Sequence, residues 1–416
     1  MPYTGSPVVP KVTAAYAFVP GEYEEPEQIA LREGEEFTVS TATDCIEPGS
    51  YTATITGTGT LTGSVNRTFS ITQADISKDS TNAVIDIEDQ TYTGQALTPV
   101  PEITVNVNGV ERALVPEEDF TVTYENNTEV GEGKCIIQGT GSYTGTKTVY
   151  FLISKQTQDL TVSAGKTSLT PGKTTKITAT GAQTDLSFSS SDDTVAEIDQ
   201  SGSITAKKPG TAIITVTAAE SEMYAQAEKS LTLKVLPAAT ASFTAANKAS
   251  YIRLTWKKVT GATGYTIWRN NARWKKITSG STLTFSDKKN LTNGKKYTYK
   301  IAAYASSGTS TLTKSKVIYR LSRPAVKSLK NTKTRKLTVK WSKNAKGNGY
   351  IINYSTISSF AVKKTVNIKN KAKLSRIIKN LKKNKKYFVR IRAYKKVSGK
   401  TYYSAWSPVK SIKITR

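Results

Sequence analysis

Histidine is absent from this 416-residue sequence, and cysteine and methionine occur only twice each. Without imidazole the chain cannot form a Ser-His-Asp or Cys-His catalytic arrangement or a histidine-ligated zinc site, and it lacks the commonest general base. Cys45 and Cys135 lie at non-matching positions in the repeats described below, so we expect both thiols to be reduced. These absences predict a protein that is not an enzyme and that uses no cofactor or metal.

Long apolar runs are lacking as well. No segment approaches the roughly 20 apolar residues of a membrane span, and the start MPYTGSPVVP lacks the basic and apolar regions of a signal peptide. We therefore expect no membrane span and interpret Met1 as the start of a fragment. Short alternating runs rich in Thr, Ser, Val and Tyr, separated by turn residues, indicate instead an all-β protein made of sandwiches or barrels.

Acidic residues are lacking only in the C-terminal part of the chain. Residues 1–155 contain 8 basic and 22 acidic residues, and residues 156–236 contain 7 and 9. Residues 237–321 contain 16 basic residues and one acid, Asp287, whereas residues 322–416 contain 28 basic residues and no acid. The net charge of +27 is therefore carried by the last two segments, and such an asymmetry predicts anionic partners there.

Acidic residues cluster at two places in the N-terminal part, PGEYEEPEQ at residues 20–28 and VPEEDF at residues 115–120. Neither has the alternating carboxylate spacing and glycine of a calcium-binding loop. We interpret both clusters as solvated turns.

Internal repeats organise the acidic part. YTG at residues 3–5 recurs at residues 92–94, and GTGTLTG recurs 82 residues later as GTGSYTG. The glycines permit the positive φ of tight turns, and the flanking Val, Ile, Phe and Tyr alternate as in strands. The pair resembles the immunoglobulin-like repeats found in tandem in surface proteins of Gram-positive gut bacteria. We divide it into a first module at residues 1–73 and a second module at residues 74–156.

The third module, residues 157–236, contains LSFSSSDDTVAEIDQSGSITAKKPGTAIITVTA. This string resembles the bacterial immunoglobulin-like group 2 domain of adhesins and cell-wall proteins. Val195 and Ile198 bracket a short strand, Gly202 permits a turn, and TAIITVTA alternates as a half-buried strand does. The resemblance implies another β-sandwich.

The fourth module, residues 237–321, and the fifth, residues 322–416, resemble two fibronectin type III domains. IRLTWKKVTGATGYTIW aligns with LTVKWSKNAKGNGYIINY, and LTNGKKYTYKIAAY aligns with LKKNKKYFVRIRAY. The resemblance implies tyrosine corners at Tyr297 and Tyr387, where the hydroxyl bonds to the preceding backbone. Asn293 and Asn384 depart from the family, which commonly has proline in this loop.

The segment LKKNKKYFVRIRAYKK contains most of the functional candidates in the fifth module. We predict that its lysines lie on an exposed surface, either as a merely solvated face or as a contact surface for anions. These lysines are Lys382, Lys383, Lys385, Lys386, Lys395 and Lys396. Trp406, which we place on the final strand, resembles the Trp-Ser pattern by which some fibronectin-type domains stack guanidinium groups on indole. This resemblance implies a structural cation–π ladder with Arg390 and Arg392.

Aromatic and basic residues also lie together in the fourth module. Alternation directs Trp268, Lys300 and Tyr304 outward, and we place Trp274 in the following turn. Such a face could stack on sugar rings, or its aromatic residues could serve cross-strand and interdomain packing.

These patterns predict an extended, monomeric rod of five tandem immunoglobulin-like and fibronectin type III β-sandwiches. We expect it to be extracellular, on a bacterial surface or secreted, and to act as a stalk and binding array. The expected partner is an anionic cell-wall polymer or an acidic or sulfated glycan, including one on a host surface, with no specific nucleic-acid binding. Two alternatives stay open, namely the non-catalytic tail of a larger secreted carbohydrate- or peptide-degrading enzyme, and a glycan-binding adhesin.

Overall fold

A computed structural model describes residues 1–18, 27–41 and 44–416. Strands dominate these residues, and the helical structure among them is one 3-10 turn, Asp79–Thr81. The predicted all-β fold is therefore confirmed. The acidic cluster at residues 20–28 lies almost entirely outside the described residues.

Two compact units make up the chain. The first contains residues 1–158 and 219–227, and the second contains residues 159–218 and 228–416. The first and second modules thus belong to the first unit, and the fourth and fifth modules belong to the second. The third module contributes residues to both units.

The first module has five strands among its described residues: β1 (Ala14–Phe18), β2 (Glu27–Leu31), β3 (Phe37–Thr41), β4 (Gly49–Gly57) and β5 (Ser64–Ile71). β1 and β2 form an antiparallel pair, and β3, β4 and β5 form a sheet in that order. The GTGTLTG segment connects β4 to β5, which form a long antiparallel pair, so it is a turn as the repeat predicted.

The second module has nine strands: β6 (Ala74–Asp75), β7 (Val84–Asp86), β8 (Gln90–Thr91), β9 (Glu102–Val107), β10 (Val110–Ala113), β11 (Phe120–Glu125), β12 (Gly131–Gly139), β13 (Tyr143–Thr144) and β14 (Thr146–Ser154). β10-β9-β7 and β11-β12-β14-β8 form two sheets, and β6 pairs with β13. Asn108 and Gly109 both have positive φ in the β9–β10 hairpin, as the Asn-Gly pair favours.

One apolar cluster joins the first two modules. Tyr3 of the first module and Tyr143 of the second both belong to it, with their ring centroids 5.4 Å apart and edge to face. Cys45 and Cys135 are both buried in this cluster and are not joined by a disulfide. Burial raises the pKa of the Cys135 thiol, as expected for a structural rather than a reactive cysteine.

The third module has eight strands: β15 (Thr161–Ala164), β16 (Ser168–Leu169), β17 (Thr174–Thr180), β18 (Leu186–Ser190), β19 (Ala196–Ile198), β20 (Ser203–Ala206), β21 (Gly210–Ala218) and β22 (Ala227–Val235). They form the sheets β15-β17-β20-β19 and β16-β22-β21-β18. Val195 is 3% exposed, and Gly202 has a φ of 76° in the β19–β20 turn, so both residues take the places that the sequence pattern predicted.

The fourth module has eight strands: β23 (Phe243–Asn247), β24 (Ile252–Trp256), β25 (Gly264–Arg269), β26 (Ala272–Ile277), β27 (Thr284–Asp287), β28 (Lys296–Ala305), β29 (Gly308–Thr309) and β30 (Lys316–Tyr319). β23-β24-β27 form one sheet, and β26-β25-β28-β29 form the other, in which β30 also pairs with β28. Trp256 packs edge to face on Tyr265 in the core between them.

The fifth module repeats this arrangement with β31 (Val326–Lys333), β32 (Lys336–Trp341), β33 (Gly349–Ser355), β34 (Lys364–Ile368), β35 (Ser375–Ile378), β36 (Lys386–Val397), β37 (Lys400–Tyr403) and β38 (Lys410–Lys413). Its sheets are β31-β32-β35 and β34-β33-β36-β37, with β38 also paired to β36. Trp341 packs on Tyr350 as Trp256 packs on Tyr265.

Candidate anion-binding surface

Four of the predicted lysines lie in the loop before β36 and at the first residue of that strand, and together they are called the lysine loop. Leu381 is 2% exposed and fixes the loop to the core, and Asn384 adopts a φ of 63° at the turn. The backbone of the loop is held further by bonds from Lys382 N to the Tyr387 hydroxyl and from Asn384 N to Ile414 O. The exposed lysines held by this backbone are Lys382, Lys383, Lys385 and Lys386.

Lys395 and Lys396 lie near the other end of β36. An extended strand rises roughly 3.3 Å per residue, so nine residues separate Lys386 from Lys395 by about 30 Å. Lys395 is half-buried, with its Nζ 5.6 Å from the centre of the Tyr319 ring, whereas Lys396 is exposed. The six predicted lysines therefore form two separate groups rather than one site.

Arg390 and Arg392 stack on aromatic rings along the outer face of β36. Both guanidinium carbons lie 4.5 Å from the centre of the Trp406 ring. Phe360 extends the stack beyond Arg390 at 4.1 Å, and Tyr403 extends it beyond Arg392 at 3.8 Å. The structure thus places the predicted ladder residues together and adds two rings that the sequence did not indicate.

Burial lowers the pKa of both ladder arginines. Their Nε atoms are buried and have no hydrogen-bond partner among the described residues, and the module has no Asp or Glu side chain to pair with them. The guanidinium groups are held by ring faces alone, and such stacking suits arginine because its planar cation is weakly hydrated. The ladder is therefore a structural element that covers the outer face of β36.

Trp406 does not lie on a strand, and our placement of it on the final strand was wrong. It lies between β37 and β38, where the hydroxyls of Ser404 and Ser407 accept hydrogen bonds from the backbone of Ala393 and Ile391 at 2.9 and 3.0 Å. The same serines donate their own backbone N–H groups to those residues. These hydrogen bonds replace regular strand pairing and place the indole of Trp406 beside β36.

The aromatic candidates of the fourth module are divided between two environments. Trp268 lies opposite Lys300 on paired strands, and Tyr304 donates its hydroxyl to Ile277 O at 3.0 Å. Trp274 lies on β26 and not in the turn, which is formed by Asn270 and Asn271; our placement of it was wrong because a register shift follows this turn.

Trp274 covers a buried ion pair rather than joining Trp268. Its ring centre lies 3.2 Å from the guanidinium carbon of Arg269, whose Nη1 donates to Asp287 at 3.0 Å. Asp287 is 1% exposed and also accepts the Tyr299 hydroxyl at 2.6 Å. The four predicted residues therefore do not form one glycan-stacking platform.

Both tyrosine-corner hydroxyls bond to the loop that precedes them. Tyr297 donates to Asn290 O at 2.8 Å and accepts from Thr292 N at 2.9 Å. Tyr387 accepts from Lys382 N at 3.0 Å. The corner thus supports the lysine loop of the fifth module directly.

Acidic and cysteine side chains do not assemble into a metal site within the part of the chain that the structure describes. No group of three or more Asp, Glu, Cys or His residues there could hold a metal ion. In the VPEEDF cluster Glu117 and Glu118 are exposed in a turn, as we predicted. Asp119 is 4% exposed and accepts from Val115 N at 2.9 Å, so our interpretation of this residue as solvated was wrong. No helix in the described residues is long and apolar enough to cross a membrane.

Comparisons with known proteins agree with an immunoglobulin-like module. Residues 170–220 match the family model described as "Intimin, immunoglobulin-like domain". This match lies within the third module, and no curated protein sequence matches the chain.

Two solved structures illustrate the structural likeness. The FN1-FN3 domains of chicken CNTN1 match with a TM-score of 0.28 and 14% identity, over 61% of this chain and 98% of that one. The Clostridium perfringens spore cortex lytic enzyme SleM matches with a TM-score of 0.20 and 18% identity, over 21% of this chain and 29% of that one. The chain is a multidomain protein of immunoglobulin-like and fibronectin type III-like sandwiches, as its strand topology and tyrosine corners indicate.

Proposed function

We propose that this chain is a non-catalytic stalk and binding array of an extracellular bacterial surface protein, whose fourth and fifth modules bind anionic polymers. The observation that carries the proposal is the exposed lysine loop on a module without a single acid. Uncompensated like charges repel one another, and an anionic partner relieves that repulsion. The binding surface is formed first by Lys382, Lys383, Lys385 and Lys386, with Lys396 as a distant second contact.

The type of basic residue indicates how such a partner binds. Lysine acts as a flexible point charge, whereas selective recognition of one anion favours the fixed fork of arginine. The two arginines of β36 are stacked on rings, so the exposed loop presents lysine alone. Binding is therefore weak, broadly specific and strongly dependent on salt.

The extracellular setting is supported by the intimin-type immunoglobulin-like match. In that setting the expected partners are a cell-wall polymer with phosphate groups, an acidic polysaccharide, or a sulfated glycan on a host surface. DNA binds through the same charges but without sequence specificity. The array acts as a monomer.

The test is titration of the full chain with fluorescent heparin at low and at physiological salt. Changing Lys382, Lys383, Lys385 and Lys386 to Gln should weaken binding about tenfold at low salt and flatten the salt dependence, because fewer counterions are released. A matched control changes the exposed third-module lysines Lys166, Lys173, Lys229 and Lys234 to Gln. No binding at low salt, or equal effects of the two quadruple variants, would contradict the proposal.

A further inference from the structure

A cleft lies along the open edge of the fifth sandwich. Among the residues that the structure describes, β34 pairs with β33 alone and β35 pairs with β32 alone, so both sheets end on this side. A cavity of about 610 Å³ is lined by residues of β33, β34 and β35, and a cavity of about 300 Å³ is lined by β33, the start of β34 and the lysine loop. Tyr354 lines both cavities.

The cleft has an apolar floor and a cationic rim. Tyr354, Val366 and Ile378 line the larger cavity and pack with the core of the module. Six cations surround the two cavities, and no acid exists in the module to neutralise them. They are Lys363, Lys364, Lys373, Arg376, Lys379 and Lys382.

The fourth module fills the same place with an ion pair. Arg269 is paired with Tyr299 across β25 and β28, and Asp287 is paired with Ile252 across β27 and β24. The Arg269–Asp287 pair is buried and is covered by the Trp274 ring. This cluster closes the edge of the fourth sandwich.

Strand register identifies the corresponding residues of the fifth module. Tyr354 is paired with Val389 across β33 and β36, and Ile378 is paired with Leu337 across β35 and β32. Tyr354 therefore replaces the arginine of the ion pair, and Ile378 replaces the aspartate. With neither charge present, no ion pair joins β33 to β35, and the cleft stays open.

Tyr354 is suited to contact a ligand. Its ring is tilted against that of Tyr387, with centroids 6.3 Å apart, and the ring is half-buried. None of the residues that the structure describes forms a hydrogen bond with its hydroxyl. The hydroxyl is thus available to donate to, or accept from, a bound hydroxyl or acidic group.

We infer that this cleft is a binding subsite for a linear acidic polysaccharide, an inference that rests on the proposed function and assigns it a site. One half-buried aromatic ring with a free hydroxyl fits one sugar ring, and the rim cations fit carboxylate or sulfate groups along the chain. A single-stranded nucleic acid is less well matched, because its sites stack successive bases on several aromatic side chains. Lys382 belongs both to the lysine loop and to the lining of the smaller cavity, so the cations of the loop continue those of the cleft rim.

Two pairs of substitutions separate the cleft from general surface charge. Lys373→Gln with Lys379→Gln removes two charges from the cleft rim, and Lys330→Gln with Lys333→Gln removes two exposed charges from β31. The full chain is titrated with heparin and with polygalacturonate, which distinguish sulfate from carboxylate recognition. The cleft pair should lose about tenfold in affinity for at least one polymer, clearly more than the β31 pair.

Tyr354→Phe tests the aromatic contact without changing charge. Affinity for the preferred polysaccharide should fall about fivefold, as expected for one lost hydrogen bond. Binding of inorganic polyphosphate, which has no sugar ring, should not change. A second charge-neutral variant, Tyr354→Arg with Ile378→Asp, rebuilds the ion pair of the fourth module and should close the cleft to polysaccharide.

The outcomes separate the two proposals. Failure of every polyanion to bind at low salt overturns both. Equal losses in the cleft and β31 pairs, with no effect of Tyr354→Phe, overturn the cleft and leave general polyanion binding standing. Tighter binding of a single-stranded oligonucleotide than of either polysaccharide, lost in the cleft pair, overturns the assignment to a glycan. Thermal unfolding establishes that each variant folds. If the variant with the rebuilt ion pair does not fold, the two lysine pairs and Tyr354→Phe still test the cleft.

Discussion

Arg269 donates from a single nitrogen to both carboxylate oxygens of Asp287, at 3.0 and 3.3 Å, and Asp287 is the only acid in residues 237–416. Tyr299 donates its hydroxyl to the same carboxylate, and the pKa of Tyr299 is raised first by burial and then by this bond. The single carboxylate of the two basic modules is therefore used inside the protein, where it neutralises a buried cation.

Removing the charge of Asp287 should destabilise the fourth module. Asp287→Asn leaves Arg269, whose side chain is 9% exposed, without a counter-charge, and we expect a loss of about 3 kcal/mol in the free energy of unfolding. Hydrogen exchange of peptides from β25 and β28 measures this loss within the multidomain chain. Glu222→Gln, an exposed change in the first unit, is the control. Unchanged exchange in β25 would contradict the interpretation of the pair as essential.

Removing the central ring of the arginine ladder should destabilise the fifth module. Trp406→Ala takes away the half-buried ring that separates Arg390 from Arg392. Two cation–π contacts of about 1 kcal/mol each are lost, so we expect a loss of about 2 kcal/mol in the free energy of unfolding. We expect faster hydrogen exchange in β36 and no change in the fourth module. Trp406→Phe, which keeps a ring face, should recover part of the loss; equal effects of the two variants would argue against stacking.

The two tyrosine corners should respond unequally to loss of the hydroxyl. Tyr297→Phe removes a donated and an accepted bond, whereas Tyr387→Phe removes one accepted bond. At about 1 kcal/mol per bond, we expect losses of about 2 and about 1 kcal/mol in the fourth and fifth modules. Local exchange rates in β28 and β36 measure these values. A larger loss for Tyr387→Phe would show that the number of corner hydrogen bonds does not determine the difference in stability between the two variants.

The first unit should lose stability at alkaline pH. Burial raises the pKa of Tyr143 from 10.0 to about 12. The folded-state pKa of Tyr143 is higher than the unfolded one, so the neutral phenol stabilises the folded state relative to the ionised one. This contribution to the free energy of unfolding, on the order of 2 kcal/mol, is complete below pH 10 and is lost as the pH rises toward 12. Tyrosinate absorbance and unfolding temperature, followed together from pH 9 to 12, measure it.

Tyr143→Phe provides the control for the alkaline transition. This variant cannot ionise, so its stability should fall less steeply over the same range of pH. Tyr124, whose pKa burial also raises to about 12, leaves a residual slope in the variant. Identical profiles for the variant and the parent chain would exclude Tyr143 as a source of the transition.

Local alternation predicted the features that depend on neighbouring residues in one strand. YFVRIRAY directs Tyr387, Val389 and Ile391 to the core, and all three are buried. The tyrosine corners were predicted from the resemblance to fibronectin type III domains, and they too are local, because the hydroxyl bonds to the preceding loop. These features need no knowledge of distant strands.

Features that depend on register or on irregular backbone could not be predicted. Trp274 was misplaced because the β25–β26 pair has a register shift, and Trp406 because serine hydroxyls replace strand pairing. Phe360 joins the ladder from a loop, with a φ of 58° that its sequence does not favour. The Tyr354 cleft became apparent only when the strand pairs of two modules were compared.

The composition of the last two modules also determines how their charge responds to acid and base. Residues 237–416 contain no histidine and a single acidic side chain, Asp287. Lysine and arginine keep their protons until about pH 10. Between about pH 5 and pH 9 this segment therefore behaves as a polyelectrolyte of constant charge. Its electrophoretic mobility should be constant over that range of pH. Its affinity for an anionic polymer is therefore controlled by the ionic strength of the surroundings and not by their pH.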